Sequence, residues 1–569
     1  MAITVKARSN GDHVVVAWLP SDEAAIPECR GFAVKRSRDG KEEFLHSFIG
    51  FTDDAVYPKA DPWKWPLQRY LWWDFGVESG QTVRYRVIPV VGPAASLELK
   101  EDLASDWTDE LEVTTQFSPH ISAFFNRGIV AAQWVSRALD KEAQGRRRRQ
   151  ALKDVITKPG DALREALAGQ LKPEVIGTID DAEKGSLYAA LYELNDPELL
   201  DHLEGLGARA NVILANGSFS TKKPDENEAA RTALGKTKVK LYDRMVSSGH
   251  FAHNKFAVYC DAGGKPQTVL TGSTNWTSTG LCSQANNALV IDDPAVADRF
   301  LTQWNRLKDA RNGFPSSLIT SNSNLEQFTV DDITVTPWFA PTSDEQDLDY
   351  ARKLIADAKE SIFFLFFNPG IYKEDPRLET LLQNVLERRA DDLYIRGVVN
   401  QEISGLTEEA AATTPPVTLV NERTEMPLKE NVLVPAYLDK KFYGWEDEVL
   451  GASPVMVHSK VVVLDPWGEH PVLMTGSHNL GVKASSKNDD NLVILEGPAA
   501  SALATAYAVC IIAIFGAYHW NSYVRQHESD PNVWHGLQDT AAWQNGHLKG
   551  QGLAELRLWT GSGAPAPTP

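Results

Sequence analysis

Two copies of one polar pattern hold the side chains of this chain that are best suited to chemistry. Each copy places a lysine two residues after a histidine and continues to a Gly-Ser-x-Asn run. The members are His253, Lys255, Ser273 and Asn275 in the first copy, and His458, Lys460, Ser477 and Asn479 in the second. An imidazole can act as nucleophile or proton carrier, an ammonium group suits a phosphate oxygen, and hydroxyl and amide groups add neutral hydrogen bonds. The pattern therefore indicates chemistry on a phosphate ester.

The apolar residues that follow each His-x-Lys pair predict that the pair lies on a β-strand. Side chains two apart on a strand project from the same face, so the imidazole and the ammonium line one pocket. Two such copies facing each other would surround one phosphate with two imidazoles and two ammonium groups. The serines and asparagines of the Gly-Ser-x-Asn runs would add phosphate-binding groups beside them.

Repetition makes this pattern specific. A third His-x-Lys sequence, His547-Leu548-Lys549, has no Gly-Ser-x-Asn run after it, and we interpret it as surface. Two unrelated buried histidines are the alternative for the other two copies. That alternative does not explain why both copies repeat the same motif and then a similar apolar run.

These residues resemble the two HxKxxxxD–GSxN signatures of the phospholipase D superfamily, over residues 117–550. The resemblance implies two α/β domains related by pseudo-twofold symmetry, with one active site at their interface. It implies that one histidine attacks phosphorus and forms a phosphohistidine, while the other protonates the leaving alcohol and later activates water. No metal or cofactor is expected.

The two copies differ at their acidic positions. The second copy has Asp465 at the end of the HxKxxxxD signature, whereas the first has Cys260 there and Asp261 one place later. These two carboxylates are expected to support the site, but the shift leaves the role of Asp261 open. A simple account is one inserted residue near Cys260.

A second acid, downstream of each Gly-Ser-x-Asn run, also differs. We align Asp490 of the second copy with Asn287 of the first. In the superfamily this acid orients the histidine of the opposite half, so Asp490 would support His253, and His458 would meet the uncharged Asn287. Charge support belongs with the nucleophile. We therefore expect His253 to be the nucleophile and His458 the general acid and base.

Around these motifs the chain is predicted to be multidomain. Residues 1–116 contain short β-rich runs separated by turn signals, typical of a β-sandwich. With Trp18 and Tyr85 at fitting places, they resemble a fibronectin type III domain. The alternating strands and helices that follow predict two α/β halves, residues 117–325 and 326–552, before a flexible tail, residues 553–569.

Residues 57–74 depart from a minimal domain of this kind because they are rich in tryptophan and proline. Their aromatic side chains could form a contact surface for a partner, or they could pack as a local loop. Both interpretations stay open from the sequence.

Amino-acid composition bears on nucleic-acid binding, on the cellular compartment and on membrane insertion. The formal charge of −19 argues against a surface built for non-specific nucleic-acid binding. The four cysteines form no zinc or disulfide pattern, and the first residues do not resemble a signal peptide, so we expect a cytoplasmic protein, with export by a signal-independent route left open. Residues 501–520 carry no charged side chain and are predicted to be a buried core helix rather than a membrane span.

The substrate is not fixed by these patterns. A phospholipid headgroup ester is slightly favoured by the two half-sites in one chain and by the acidic composition. A metal-independent nuclease is the alternative, because the Asn-Trp-Thr sequence at residues 275–277 resembles the nuclease branch. Basic residues 146–149 could contact phosphates, although a solvated helix turn explains them better. An inactive scaffold or binding protein is the third possibility, and hydrolysis and transphosphatidylation are both open.

Overall fold

The chain forms two compact units. The computed structural model describes residues 2–47, 50–51, 60–128, 148–220, 224–368, 370, 379–388, 393–400, 432–433, 456–526 and 536–562. The first unit comprises Met1–Thr115, Asp391–Tyr394 and Tyr523–Pro569, and the second comprises Gln116–Ala390 and Ile395–Ser522. The chain is therefore multidomain, and all the predicted site residues belong to the second unit.

The first unit begins with two antiparallel sheets. Its strands are β1 (Ile3–Ser9), β2 (Val14–Pro20), β3 (Cys29–Arg38), β4 (Lys41–Phe44), β5 (Leu71–Asp74), β6 (Thr82–Val91), β7 (Glu98–Leu99) and β8 (Leu111–Glu112). One sheet has the order β1-β2-β5, and the other has the order β4-β3-β6-β7 with β8 also paired to β6. Burial alternates along the first part of β6, whereas β2 is buried along its whole length.

The core of this unit is aromatic. Trp18 is fully buried, with its ring 5.3 Å from that of Phe32. Tyr85 is also buried, and its hydroxyl donates to Asp74 Oδ2 at 2.8 Å. The resemblance to a fibronectin type III domain remains a prediction. Within residues 57–74, the last four form β5, so this segment contributes a sheet strand as well as the partly exposed Trp63.

The first half of the second unit surrounds an eight-stranded sheet. Its strands are β9 (Gln116–Ser118), β10 (Ile121–Phe125), β11 (Ser186–Leu191), β12 (Ala210–Ala215), β13 (Lys240–Arg244), β14 (Lys255–Cys260), β15 (Pro266–Gly272), β16 (Gln284–Ala285) and β17 (Asn287–Ile291). The sheet order is β13-β12-β11-β14-β15-β17-β10-β9, with β16 outside it. Its helices are α1 (Arg148–Ile156), α2 (Ala162–Ala168), α3 (Leu171–Asp181), α4 (Pro197–Leu206), α5 (Glu228–Leu234), α6 (Ser278–Cys282), α7 (Pro294–Ala310) and α8 (Ser316–Asn322). The side chains of the basic residues 146–149 lie outside the part of the chain that the structure describes.

The second half contains another eight-stranded sheet. Its strands are β18 (Phe328–Val330), β19 (Ile333–Ala340), β20 (Ser361–Phe366), β21 (Tyr394–Val399), β22 (Val432–Leu433), β23 (Met456–Val457), β24 (Val461–Leu464), β25 (Val472–Gly476) and β26 (Asp490–Glu496). The helices are α9 (Gln346–Asp357), α10 (Leu382–Glu387), α11 (Val482–Lys487) and α12 (Ser501–Gln526). The sheet order is β22-β21-β20-β24-β25-β26-β19-β18, with β23 outside it and paired to β16. The motif strands β14 and β24 therefore lie between equivalent neighbours in the two sheets. The pseudo-twofold relation of the halves stays a prediction.

Helix α12 contains the one span among the described residues that is long and apolar enough to cross a membrane, Pro498–Ala517 with its preceding turn. Of that window, 67% is buried inside the protein. Tyr507, in the middle of this helix, has its ring 4.9 Å from Phe125 of β10. These contacts are those of a core helix.

The end of the chain returns to the first unit and corrects two expectations. Helix α13 (Gly550–Thr560) contributes Leu556 to the core that also contains Trp18. Residues 553–562 are therefore not a flexible tail, and the second α/β half ends at Ser522 rather than at residue 552. The first unit is not purely β, since this helix belongs to it. His547 is half-buried against Tyr70 in the same unit, so the third His-x-Lys sequence is not simply surface.

Candidate active site

His253 is held by a carboxylate from the opposite half. Its Nδ1 lies 2.8 Å from Asp490 Oδ1. Its backbone N–H donates to the carbonyl of Asp489 at 2.7 Å. Because a carboxylate oxygen can only accept here, Nδ1 carries the proton and Nε2 presents its lone pair. This is the tautomer that a nucleophilic imidazole needs.

His458 is held by neutral groups from the first half. Its Nδ1 lies 2.9 Å from Asn286 Oδ1 and 3.0 Å from the backbone carbonyl of Ser273. Its backbone N–H donates to the carbonyl of Ala285 at 3.1 Å. The two histidines therefore occupy matching positions, each supported by the other half, but only His253 meets a charge.

Asn287 is not the partner of His458, so that prediction is wrong. The strand registers explain the error: Gly272 pairs with Ala288, while Gly476 pairs with Leu492. This register makes Asn286, not Asn287, the counterpart of Asp490. Asn287 instead accepts from Thr475 Oγ1 at 3.1 Å. It is part of the contact between the halves.

Each lysine lies over an aromatic ring beside its own histidine. Lys255 Nζ is 4.7 Å from the centre of the Tyr192 ring, and Lys460 Nζ is 4.5 Å from that of Phe367. The same rings meet the imidazoles edge-on, at 4.6 Å for His253 and 4.9 Å for His458. An aromatic face can stabilise a cation within this distance. The lysines also donate to the carbonyls of the two histidines.

The two motif serines contact the residues that hold the histidines. Ser273 Oγ donates to Asn286 Oδ1, and Ser477 Oγ donates to Asp490 Oδ1, both at 2.8 Å. Both serines are fully buried. These contacts help to position Asn286 and Asp490. Phosphate binding by the serines stays a prediction.

The motif asparagines lie near the site in different surroundings. Asn275 Nδ2 donates to Glu193 Oε2 at 2.7 Å, which leaves its second N–H available. Asn479 is half-buried, and its Oδ1 is among the buried atoms without a hydrogen-bond partner in the described part of the chain. Phosphate binding by these two amides stays a prediction.

The two downstream aspartates do different structural work. Asp465 accepts from three successive backbone N–H groups, those of residues 359–361, at 2.6–2.8 Å. It thereby ties the end of β24 to the start of β20. Asp261 accepts from the N–H groups of Gly263 and Lys265 and closes its own hairpin turn. Asp261 therefore does not perform the task of Asp465.

Burial controls the charges of the site. The side chains of His253 and His458 keep only 5% exposure, and the two lysines keep less. Burial and the ammonium of Lys255 lower the pKa of His253 to about 4. Burial also lowers the pKa of Lys255 to about 7, and the pKa values of His458 and Lys460 fall as well, from burial and then from the charge of the lysines. Although burial opposes it, the neighbouring His253 holds the pKa of Asp490 below its usual value. Asp490 is thus the fixed negative charge beside neutral His253.

Among the described residues, no group of three or more His, Cys, Asp or Glu side chains is arranged to hold a metal ion. The site's own groups are two imidazoles, two ammonium groups and the carboxylate of Asp490. Together they can attack phosphorus, protonate a leaving group and stabilise an anionic centre.

The sequence interpretation missed Tyr192, Phe367, Asn286 and Glu193. Tyr192 directly follows β11, which pairs with the motif strand β14. Phe367 directly follows β20, which pairs with the motif strand β24. Their equivalent positions were a usable signal. Glu193 had no counterpart, since Asn368 stands at the matching place in the second half. Burial and the nearby Glu226 raise the pKa of Glu193.

Comparison with known proteins agrees with these motifs. Residues 175–308 match the family described as cardiolipin synthase, PLD-like domain. A phospholipase D of Rickettsia bellii (strain RML369-C) is 28% identical over 138 residues, which are 23% of this chain and 61% of that protein. The match thus spans less than two thirds of the curated relative.

Two solved structures align with parts of this chain. The phosphatidylserine synthase of Haemophilus influenzae Rd KW20 has a TM-score of 0.41 and 11% identity, over 64% of this chain and 92% of its own. The phospholipase D family member Nuc from Salmonella typhimurium has a TM-score of 0.20 and 21% identity, over 25% of this chain and 87% of its own. The family match covers residues 175–308, and this range contains the first histidine–lysine motif.

Proposed function

We propose that this protein is a phosphodiesterase that hydrolyses its substrate through a phosphohistidine at His253. The observation that carries the proposal is the asymmetric pair of contacts, Asp490 on His253 and Asn286 on His458. When Nε2 of His253 bonds to phosphorus, its imidazole becomes cationic. A carboxylate at 2.8 Å stabilises that cation, whereas a neutral amide does so much less.

The reaction then proceeds in two steps. In the first, the lone pair of His253 Nε2 attacks phosphorus, the bond to the alcohol oxygen breaks, and protonated His458 gives its Nε2 proton to that oxygen. In the second, His458 takes a proton from water, the water oxygen attacks phosphorus, and the phosphorus–nitrogen bond breaks. Lys255 and Lys460 stabilise the negative charge on the phosphoryl oxygens. A bound phosphodiester anion raises the pKa of His458 and so favours its protonation.

A phospholipid headgroup ester is the substrate class that we favour. The support comes from the names of the matching family and of the curated relative, which are a cardiolipin synthase domain and a phospholipase D. The formal charge of −19 also disfavours approach to a long polyanion. Nucleic acid is the alternative outcome of the test.

The test is a substrate panel on the purified full-length chain in the presence of EDTA. The substrates are mixed phospholipid vesicles, single- and double-stranded DNA, RNA and bis-p-nitrophenyl phosphate. His253→Ala is expected to abolish turnover, while His202→Ala, which removes a partly exposed histidine of α4, is expected to retain it. Acid quenching during turnover should trap a phosphate on the peptide that contains His253.

The outcomes separate the alternatives. Headgroup release supports the lipid assignment, and strand scission replaces it with a nuclease. Phosphate trapped on His458 reverses the roles of the two histidines. Turnover that stops in EDTA contradicts the mechanism, and absence of turnover on every substrate supports an inactive scaffold.

A further inference from the structure

Asp489, the residue before Asp490, has a second buried carboxylate, and Arg244 contacts both of its oxygens. Arg244 Nε donates to Asp489 Oδ2 at 2.7 Å, and Nη2 donates to Asp489 Oδ1 at 2.9 Å. Each side chain is only 1% exposed. A paired, bidentate arginine–carboxylate contact of this kind fixes both position and orientation.

The rest of the guanidinium is anchored in the first half. Its Nη1 donates to the carbonyl of Gly313 at 2.9 Å and to that of Arg311. The ring of Phe314 lies 4.9 Å from the guanidinium carbon. Arg244 ends β13, so the anchor rests on a sheet strand rather than on a loop. Arg244 thus connects Asp489 to the sheet of the first half.

The backbone of Asp489 bears directly on His253. Its carbonyl accepts the His253 N–H at 2.7 Å, and its own N–H donates to the carbonyl of Phe251 at 2.8 Å. The next residue is Asp490, whose carboxylate lies 2.8 Å from His253 Nδ1. One short segment thus fixes the main chain of the histidine and its imidazole.

The other half lacks this clamp. The carbonyl that accepts the His458 N–H belongs to Ala285, which occupies the place of Asp489 but has no polar side chain. The ion pair is therefore peculiar to the half-site that we assign to the nucleophile.

We propose that Arg244 is a positioning residue that, through Asp489, holds Asp490 and His253 in the geometry for attack on phosphorus. This inference rests on the proposed function. Arg244→Lys keeps a positive charge but cannot make the bidentate contact. We expect it to lower kcat/KM about 100-fold, the size of effect that a misplacement of about 1 Å can have.

The matched control is Arg164→Lys. Arg164 makes an equally buried bidentate pair with Asp196, at 2.9 Å for both contacts, but that pair does not contact either motif histidine. If Arg244 acts only on stability, both variants should lower the melting temperature and leave kcat/KM of the folded fraction unchanged. If it positions the nucleophile, only Arg244→Lys should lose turnover.

A double-mutant cycle with Asp490→Asn gives the second readout. Groups that act through one another are not additive, so the double variant should be about as slow as Asp490→Asn alone. Additive losses, or a kcat/KM of Arg244→Lys equal to that of Arg164→Lys, would overturn the inference.

A third readout does not need turnover. In protein labelled with ¹⁵N-histidine, His253 should show a single tautomer protonated at Nδ1, and Arg244→Lys should convert it to a mixture. An unchanged His253 signal would count against the positioning role. If the wild-type protein cleaves no diester, the proposed function fails, and this measurement still decides whether Arg244 orients the imidazole.

Discussion

At the scale of single residues, the two half-sites share their geometry but not their charge. Both histidines contact a side-chain oxygen of the opposite half, through Nδ1, at nearly the same distance. The oxygen belongs to a carboxylate in one case and to an amide in the other. The contact of the proposed nucleophile thus differs from that of the proposed acid only in carboxylate against amide. Exchanging aspartate and asparagine at these two positions tests the assignment.

Asp490→Asn should lower kcat by on the order of 10³–10⁴-fold, because an amide at this place can present an N–H to the imidazole and select the wrong tautomer. Steady-state kinetics on bis-p-nitrophenyl phosphate measure the loss. The mirror variant Asn286→Asp is the comparison, and it should raise the pKa of His458 instead of stopping attack. Activity of Asp490→Asn within threefold of wild type would refute the assignment.

The pH profile should reflect the lysine in the first motif. Burial lowers the pKa of Lys255 to about 7, so its ammonium is present below that pH and lost above it. The pKa of His253, about 4, leaves the nucleophile unprotonated throughout the neutral range. We expect kcat/KM to decline on the acid side near 4 and to decline as pH rises through about 7. Because the pKa of His458 is also lowered, loss of its acid proton contributes to the basic limb as well.

Lys255→Arg should remove the lysine's contribution to the basic limb, since a guanidinium keeps its proton, and should leave the contribution of His458. The measurement is kcat/KM of the soluble diester between pH 3.5 and 10, with circular dichroism at each pH to confirm folding. A flat profile from pH 6 to 9 in the wild-type protein would contradict the prediction.

At the scale of secondary-structure elements, local signals predict the alternation of strands and helices but not one strand register. The helix Pro197–Leu206 and the strand Ala210–Ala215 show the alternation, since Asp196 caps the helix and a buried, mostly apolar run forms the strand. Matching the Leu-Val-Ile sequence that the two downstream runs share aligns Asn287 with Asp490. The strand register follows instead from how each motif glycine pairs with the neighbouring strand, which sequence identity does not reveal.

The motif strands also begin later than predicted. His253 and His458 precede β14 and β24 instead of lying within them. Their backbone N–H groups donate to carbonyls of the opposite half, not to the strands beside β14 and β24 in the two eight-stranded sheets. Such pairing between distant segments leaves no local sequence pattern, which is why the spacing alone placed both histidines on a strand.

Asp465 provides a stability test at this scale. Asp465→Asn replaces one acceptor oxygen with an amide that faces backbone N–H donors, and we expect the free energy of unfolding to fall by about 2–3 kcal/mol. The positive φ of 44° at this residue is tolerated by asparagine, so backbone strain does not change.

Asp261→Asn is the matched control for that experiment, because Asp261 closes a more exposed turn. It should cost less than about 1 kcal/mol. Urea unfolding followed by circular dichroism compares the two variants. Equal losses would show that the tie between β24 and β20 is not the stabilising feature.

At the scale of the whole molecule, the first unit is built from both ends of the chain. Trp543 Nε1 donates to the carbonyl of Cys29 at 3.0 Å, and Gln544 bonds both the N–H and the carbonyl of Ile26. These partners are more than 500 residues apart in sequence. The division at Thr115 follows a change of pattern that the sequence displays, whereas the return of α13 depends on a contact that no local pattern carries.

Gln544→Leu tests whether the returning segment holds this unit together. Gln544 is fully buried and also accepts from the Tyr70 hydroxyl at 2.7 Å. Leucine would leave two donors, the Ile26 N–H and the Tyr70 hydroxyl, without Gln544, while the Ile26 carbonyl would keep the Cys29 N–H. We expect the unit to lose about 2–4 kcal/mol of stability. Hydrogen exchange of the amides of β2 should accelerate accordingly, while exposed Asn545→Ala, in the same turn, should leave them unchanged. Unaltered exchange in Gln544→Leu would mean that the β-sheets are stable without the C-terminal segment.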